Sequence, residues 1–213
     1  MDPRRIEEQL PQDIARREQG EEKLKERLKF EALLTDLSAR FINLSPEEVD
    51  RGIEQALKAI LDFFQVDRCG LVRTLPGRST YQITHAAYGE DVPPVPERTE
   101  IPISLNPWAY EKMIVNREVV AFSRIDDLPA EAEKERRIFE ARNMKSLLSI
   151  PLLSGEKTMG SCALVSTRSE RTWPEALVRD PPEIDFFENS SLGGLEVIEA
   201  IRNPGTKTDD VPT

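Results

Sequence analysis

Residues 101–165 read IPISLNPWAYEKMIVNREVVAFSRIDDLPAEAEKERRIFEARNMKSLLSIPLLSGEKTMGSCALV. Their pattern predicts strand, helix, strand, helix, strand, turn and strand in that order, with a start or stop signal at each joint. The stretch contains no nucleophile–base pair, no metal-ligand cluster and no phosphate-binding loop. An ordered segment without reactive groups is typical of a sensor or docking module, so we expect no catalytic residues and no metal site.

Two helices are predicted inside this stretch. Asn106 caps a helix over 107–114 that has proline at its first position. The acidic segment 126–129 begins a second helix, which runs to about residue 142. Asn143 suits the left-handed residue that commonly ends a helix.

Four short strands surround these helices. Extended pieces are predicted over 101–104 and 119–122, and longer apolar strands over 147–153 and 159–166. The last two are joined by the turn 154–157, which makes them an antiparallel pair. The 147–153 strand is apolar on both faces and should therefore be buried on both.

A helix and a hairpin precede this stretch. The sequence SPEE at 45–48 is a capping box with proline at the first helical position, and it predicts a helix to about residue 64. Apolar runs over 69–75 and 81–88, separated by a Pro-Gly turn, predict a β-hairpin. The fold class is therefore α+β with α/β/α layers: a central antiparallel sheet of five to six strands, flanked by helices and preceded by a long N-terminal helix.

The N-terminal helix carries alternating charge and an apolar stripe. The leucines that we assign to a dimer or relay helix are Leu24, Leu28, Leu34 and Leu37. An ordinary surface helix explains the same spacing, because a coiled coil is recognised over three or four heptads.

Composition restricts the partners. The chain has 213 residues and a net charge of −10, which argues against nucleic acid as a direct partner. It has no apolar run long enough for a membrane span and no apolar region of a signal peptide at its start. The two cysteines, Cys69 and Cys162, lie within predicted strands, so we expect a cytoplasmic protein with reduced thiols.

The order of these elements resembles that of a GAF domain, of the kind found in bacterial multi-sensor histidine kinases and related signalling regulators. The matching motifs, spread over roughly 30–177, are FINL at 41–44, SPEE at 45–48, VDRCG at 66–70, PW at 107–108, NREV at 116–119, DLP at 127–129, KSLLSIPL at 145–152 and Gly160. The resemblance implies three parts: a charged helical linker over 1–29, a GAF domain over 30–178, and an irregular C-terminal segment over 179–213. In that last segment we expect short helices over 184–188 and 195–201 and a disordered tail.

The resemblance also implies a ligand pocket between the sheet and the segment 101–142, which covers it as a lid. The candidate lining residues are Tyr88, Trp108, Met113, Phe122 and Phe139, with Arg136 or Arg137 facing an anion and His85 as a further candidate. By strand alternation His85 shares a face with Tyr81, Ile83 and Ala87. Each of these side chains has a structural alternative, as core, as a solvated arginine or as a hydrogen-bonded histidine.

The implied function is sensory. We expect a homodimer through the terminal helices, an output domain such as a histidine kinase, and a small-molecule ligand whose identity is unknown. One alternative is a ligand-free dimerisation scaffold. A second is a small redox enzyme using the cysteines, although both lie in strands rather than in pocket loops.

Overall fold

The structure is a computed structural model. It describes residues 44–75, 77–96, 98–154, 157–179 and 184–185, and between positions 17 and 36 it describes 17, 20, 21, 24, 25, 28–30, 32, 33, 35 and 36. The predictions for Leu34, Leu37, the helix over 195–201 and the disordered tail lie outside these residues.

Six strands form a continuous antiparallel path in the order β3-β2-β1-β6-β5-β4. They are β1 (Arg68–Thr74), β2 (Thr80–Tyr88), β3 (Glu100–Pro102), β4 (Val120–Phe122), β5 (Ser146–Ser154) and β6 (Lys157–Ser166). Helices flank this sheet, which confirms the predicted α+β class and the number of strands on the path.

A seventh strand corrects one prediction. Ile184–Asp185, expected at the start of a short helix, forms β7 and pairs in parallel with Leu152 and Leu153 of β5. The partner β4 covers only 147–149 of β5, so the edge of β5 beyond that point offers unpaired backbone groups that a short strand can take.

The first face of the sheet packs on helix α1 (Val49–Phe64). Its buried cluster contains Leu57, Leu61, Cys69, Leu148, Ile150, Leu152, Cys162 and Leu164. The helix follows a 3-10 turn at Pro46–Glu48, and the Glu48 carboxylate accepts hydrogen bonds from the Ser45 N–H and hydroxyl at 3.0 and 2.8 Å. It ends at Gln65, whose φ of 49° is left-handed and whose N–H bonds to the oxygen of Leu61.

The second face of the sheet is covered by the lid, residues 101–142, which is built from short elements. After a 3-10 turn at Ile103–Leu105 come α2 (Pro107–Tyr110), a π-helical turn (Glu111–Val115) and β4. Two further 3-10 turns, Ile125–Asp127 and Ala130–Ala132, precede α3 (Glu133–Ala141).

The predicted start of α3 at 126–129 is therefore wrong. Leu128 is extended, with a ψ of 136°, because the residue before Pro129 is disfavoured in the helical region. The regular helix begins only at Glu133. Its end is as predicted, since Asn143 has a left-handed φ of 53°.

The described residues between 17 and 36 are helical, and the side chains of Phe30 and Leu33 pack on the domain. Phe30 packs on Phe63 and Phe64, with ring centroids 5.8 and 6.0 Å apart, and Leu33 joins a small cluster with Ile53 and Ile60 of α1. The N-terminal helical residues therefore rest on the outer side of α1. A last helix, α4 (Glu175–Arg179), adds Leu177 to the cluster beneath α1.

A buried carboxylate joins the start of β1 to the end of β6. Asp67 is only 2% exposed, and its Oδ2 accepts hydrogen bonds from the N–H groups of Thr167 and Arg168 at 2.6 and 3.0 Å. The Arg168 guanidinium pairs with Oδ1. Burial raises the pKa of Asp67, but the hydrogen bonds from Thr167 and Arg168 outweigh burial, so its pKa lies below the ordinary value.

We expect Asp67→Asn to lower the free energy of unfolding by about 1–3 kcal/mol at pH 7, because an amide nitrogen would face buried N–H donors. The pKa of Asp67 is lower in the folded state than the value of about 3.9 in the unfolded chain. The carboxylate therefore contributes its full stabilisation when the pH is above about 3.9, and this contribution is lost as the pH falls through the folded-state pKa. The difference between wild type and variant should therefore narrow below about pH 4 in urea titrations. Asp62→Asn, at an exposed position of α1, is the control with a small effect. A difference that is unchanged between pH 7 and pH 3 would contradict this role.

Candidate functional site

A cavity of about 420 Å³ lies between the sheet and the lid. The sheet residues that line it are small near the centre, namely Gly70, Ala86, Ser149, Gly160, Ser161 and Ala163. From the other side Ile101, Ala109, Tyr110, Met113, Ile114 and Phe139 close over it. The volume falls within the roughly 300–1,000 Å³ typical of small-molecule sites.

The walls are apolar with a few polar groups. Arg68 begins β1 and Arg142 follows α3, and both line the cavity together with Tyr81, Tyr88 and Asn106. Among the described lining residues none is an aspartate or a glutamate. The charged side chains that the described part of the chain places around this space are therefore cationic.

Tyr81 and Asn106 form a buried polar pair on the cavity wall. The Asn106 side-chain amide donates to the Tyr81 hydroxyl, and Asn106 Oδ1 has no hydrogen-bond partner among the described residues although Asn106 is only 7% exposed. Burial raises the pKa of Tyr81; the Asn106 hydrogen bond and the charge of Arg142 oppose this shift, and the charge of Glu135 adds to it. Tyr81 is therefore a neutral hydrogen-bonding group at ordinary pH.

The lid is anchored by a fully buried carboxylate. Glu135 of α3 accepts hydrogen bonds through Oε1 from the N–H groups of Trp108 and Ala109, at 2.7 and 3.3 Å. These N–H groups begin α2 and have no partner within their own helix. The side chain of α3 thus supplies the cap that fixes α2 over the cavity.

Three predicted pocket residues line the cavity, namely Tyr88, Met113 and Phe139. Tyr88 is held through its hydroxyl, which accepts from the Val95 N–H at 3.0 Å. Trp108 and Phe122 are not among the lining residues and belong to the packed cluster of the lid. Phe122 stacks on Phe139, with ring centroids 5.6 Å apart, so it supports the wall from behind.

The predicted anion-binding arginines lie elsewhere. Arg136 donates to the backbone oxygens of Ile125 and Leu128, at 2.8 and 2.6 Å, and so holds the preceding 3-10 turn. Arg137 is exposed and pairs with Glu133 at 2.9 Å. Neither lines the cavity.

The sequence pattern places His85 on the same face of the sheet as Tyr81 and Ile83. In the structure His85 lies on the opposite face from these two residues. A β-bulge places Leu71 opposite His85 but Val72 opposite Ile83, so Thr84 is an extra residue that reverses the alternation. Tyr81 and Ile83 line the cavity, whereas His85 faces α1, with Nε2 3.2 Å from Asp50 Oδ1. The predicted grouping of His85 with Tyr81 and Ile83 is therefore wrong, and its grouping with Ala87 agrees with the structure.

Both cysteines pack beneath α1. The fully buried side chain of Cys69 and the thiol of Cys162 belong to that cluster, on neighbouring strands. A hydrogen bond with Cys162, together with burial, raises the pKa of the Cys69 thiol. Thiolate chemistry is disfavoured there, since the thiolate is the reactive form.

Sequence reasoning missed Arg68, Tyr81, Asn106 and Arg142 as cavity residues. A signal existed for Arg142, which follows Phe139 by three positions and so shares its side of the helix. The sequence pattern identifies Asn106 only as a helix cap. The alternation of β1 places Arg68 on the same face as Gly70.

Within the described residues, no group of three or more His, Cys, Asp or Glu side chains is arranged to hold a metal ion. The same part of the chain contains no helix with both the length and the apolar composition needed to cross a membrane.

The GAF domain family matches residues 48–189, and the chain belongs to that family. No curated protein sequence matches the chain significantly. Many solved structures share its fold, and three of them illustrate the similarity. The phycocyanobilin-bound GAF domain of a cyanobacterial phytochrome is similar at 15% identity and a TM-score of 0.59, with 81% of this chain and 89% of that one covered.

The second is the blue-light-absorbing form of the PixJ GAF domain of Thermosynechococcus elongatus, at 14% identity and a TM-score of 0.54, covering 76% of this chain and 90% of that one. The third is the GAF domain of an Acinetobacter phosphoenolpyruvate-protein phosphotransferase, at 15% identity and a TM-score of 0.51, covering 68% and 80%. At these identities the similarity establishes the fold alone.

We expect Glu135→Ala to loosen the lid, because two buried N–H groups at the start of α2 lose their acceptor. Hydrogen exchange at the amides of Trp108 and Ala109 should accelerate about tenfold or more, while exchange in β5 and β6 changes little. Glu140→Ala, at an exposed position of the same helix, is the control. Equal exchange rates at the two amides in both variants would show that the carboxylate does not hold the lid.

Proposed function

We propose that the chain is a non-catalytic sensory GAF module that binds a small molecule beneath its lid. The observation that carries this proposal is the cavity of about 420 Å³, whose walls combine apolar side chains with a few polar groups. A site of this composition suits reversible binding. The buried, hydrogen-bonded thiols of Cys69 and Cys162 do not support the redox enzyme considered from the sequence.

We further propose that binding is relayed through the N-terminal helical residues in a homodimer. Leu24 and Leu28 are 58% and 57% exposed, although they lie on a helix whose Phe30 and Leu33 pack on α1. Exposed leucines on a helix favour a second helix as their partner. The output domain of such a module would be a signalling domain such as a histidine kinase, in the cytoplasm of a bacterium.

The same leucines favour a second candidate function, a dimerisation scaffold that binds no ligand. The two candidates differ in what the cavity does. In the scaffold the cavity is a packing defect, and filling it would stabilise the domain with no loss of function.

Ligand binding is tested with N-phenyl-1-naphthylamine, a neutral dye that fluoresces in apolar surroundings. We expect saturable binding at one site per chain, and we expect Ala163→Phe to weaken it at least tenfold by occupying the cavity. Val72→Phe fills the same space from β1 and replaces the first variant if that one fails to fold. Lys58→Phe, which adds a phenyl ring on the exposed side of α1, is the control.

Circular dichroism melts show whether each variant is folded. If a folded Ala163→Phe or Val72→Phe variant binds the dye with the wild-type affinity, the dye binds outside the cavity. Absence of saturable binding to the wild type would favour the scaffold.

The relay helix is tested by Leu24→Glu combined with Leu28→Glu. We expect the double variant to stay folded, because both side chains are exposed, and to become monomeric, because charged groups replace apolar ones at the dimer contact. Light scattering coupled to size-exclusion chromatography measures the mass. Lys29→Glu changes the net charge by the same amount at an exposed position and should remain dimeric. A double variant with the wild-type dimer mass would exclude this helix as the dimer contact.

A further inference from the structure

We infer that the cavity selects an anionic, mainly apolar small molecule, whose carboxylate or sulfonate is held by Arg68 and Arg142. This inference rests on the proposed function, since it names the class of ligand that the cavity takes. It follows from three features of the site, which are its charge, its geometry and its unpartnered polar atoms.

The charged residues that line the described cavity wall are arginines. Arg68 and Arg142 line the space, and the described lining residues include no acidic side chain. No ion pair or side-chain hydrogen bond within the described residues uses either guanidinium, whereas Arg136, Arg137, Arg168 and Arg171 are all engaged. The buried Nε of Arg68 is costly to leave without an acceptor, and the planar donors of both guanidinium groups suit a carboxylate or sulfonate.

The two arginines approach the cavity from the same end of the sheet. Arg68 lies opposite Val165 of β6. Asn143, next to Arg142, donates to the backbone oxygen of Thr167, two residues beyond Val165. Both backbones therefore flank the end of β6, and both side chains line the cavity.

Unpartnered polar atoms mark the same wall. Arg68 Nε is buried without a hydrogen-bond acceptor among the described residues, and Asn106 Oδ1 is buried without a donor. Buried polar atoms are normally paired, and each one left alone costs free energy. An anionic group near Arg68 and a hydrogen-bond donor near Asn106 would satisfy both atoms.

One buried carboxylate, Glu135, is not among the lining residues. Its Oε1 accepts from the N–H groups of Trp108 and Ala109, and its Oε2 has no hydrogen-bond partner among the described residues. Elsewhere the wall is aromatic or aliphatic, with Tyr88, Tyr110 and Phe139 among its members. The ligand body must therefore be apolar.

A matched pair of dyes tests the inference on the full chain. 8-Anilinonaphthalene-1-sulfonate and N-phenyl-1-naphthylamine share one aromatic framework, and only the first carries an anion. We expect the sulfonate to bind at one site per chain about tenfold more tightly than the neutral dye. We expect Arg142→Gln and Arg68→Gln each to weaken sulfonate binding about tenfold while changing neutral-dye binding less than twofold.

Arg137→Gln removes a cation from an exposed position on α3, the helix that precedes Arg142, and is the control, with both affinities unchanged. Arg142 is exposed overall, so its variant should fold even if that of Arg68 does not. If the Ala163→Phe variant no longer binds the sulfonate more tightly than the neutral dye, the anion site lies in the cavity. Thermal melts of each variant exclude sulfonate binding to partly unfolded protein.

The failures are distinguishable. If the neutral dye binds in the cavity and the sulfonate binds no better, or if the arginine variants affect both dyes equally, the inference is overturned and the proposed function stands. If neither dye binds the wild type, the proposed function itself fails and the inference fails with it.

Discussion

The unequal size of the side chains on the two faces of the sheet is the constraint on which the rest of the structure depends. A β-strand alternates its side chains between faces, so β5 and β6 present Leu148 and Leu164 to α1 and Ser149 and Ala163 to the lid. The first face is a packed core and the second cannot be filled. Gly160 shows how tight the backbone is there, because a Cβ at this position would lie 1.8 Å from the Val72 carbonyl oxygen. The same strands therefore stabilise the domain and leave the cavity open.

The lid over that cavity is fixed by adjacent side chains of opposite charge. Glu135 accepts from the N–H groups of Trp108 and Ala109, and Arg136 donates to the carbonyl oxygens of the 125–128 turn. Hydrogen bonds that involve a charged group are stronger than neutral ones, so one turn of α3 holds both α2 and the 125–128 turn. Between β3 and α3 the lid has only short elements, which are 3-10, α and π turns and the three-residue strand β4. Movement of α3 would carry the neighbouring turns with it.

The sequence predicts the strands of the sheet well, because a strand that is buried requires a run of apolar residues and turn residues such as Pro-Gly mark where it ends. It also predicts the left-handed residue Asn143. It does not predict the bulge at Thr84, since one extra residue leaves the apolar pattern intact while it reverses the faces of His85 and Ile83. The sequence also does not predict which arginines line the cavity, because the position of a long side chain depends on the groups around it. Arg136 donates to the backbone of the preceding turn, whereas Arg142, just after the end of α3, lines the cavity.

The cavity and α1 lie on opposite faces of the sheet. Under the proposed function, a signal from a ligand to the N-terminal helix would therefore have to cross the sheet or pass around its edge. The strands of the sheet are held in register by their ladder of backbone hydrogen bonds. A path of contacts around the edge of the sheet depends instead on side chains. Phe122 stacks on the cavity residue Phe139, its carbonyl oxygen accepts from Trp173 Nε1 at 3.0 Å, and the nearby Arg171 guanidinium donates to the oxygen of Phe64 at the end of α1. Phe64 in turn packs on Phe30 of the N-terminal helical residues. Under the proposed function, a ligand changes the balance between two positions of the lid by no more than the difference in its affinity for them. Typical coupling free energies between two sites are about 1–3 kcal/mol, which is comparable to the free energy of one buried side-chain interaction. The stack of Phe139 on Phe122 lies where the cavity wall meets the edge of the sheet, and aromatic pairs of this kind contribute about 0.5–1.5 kcal/mol.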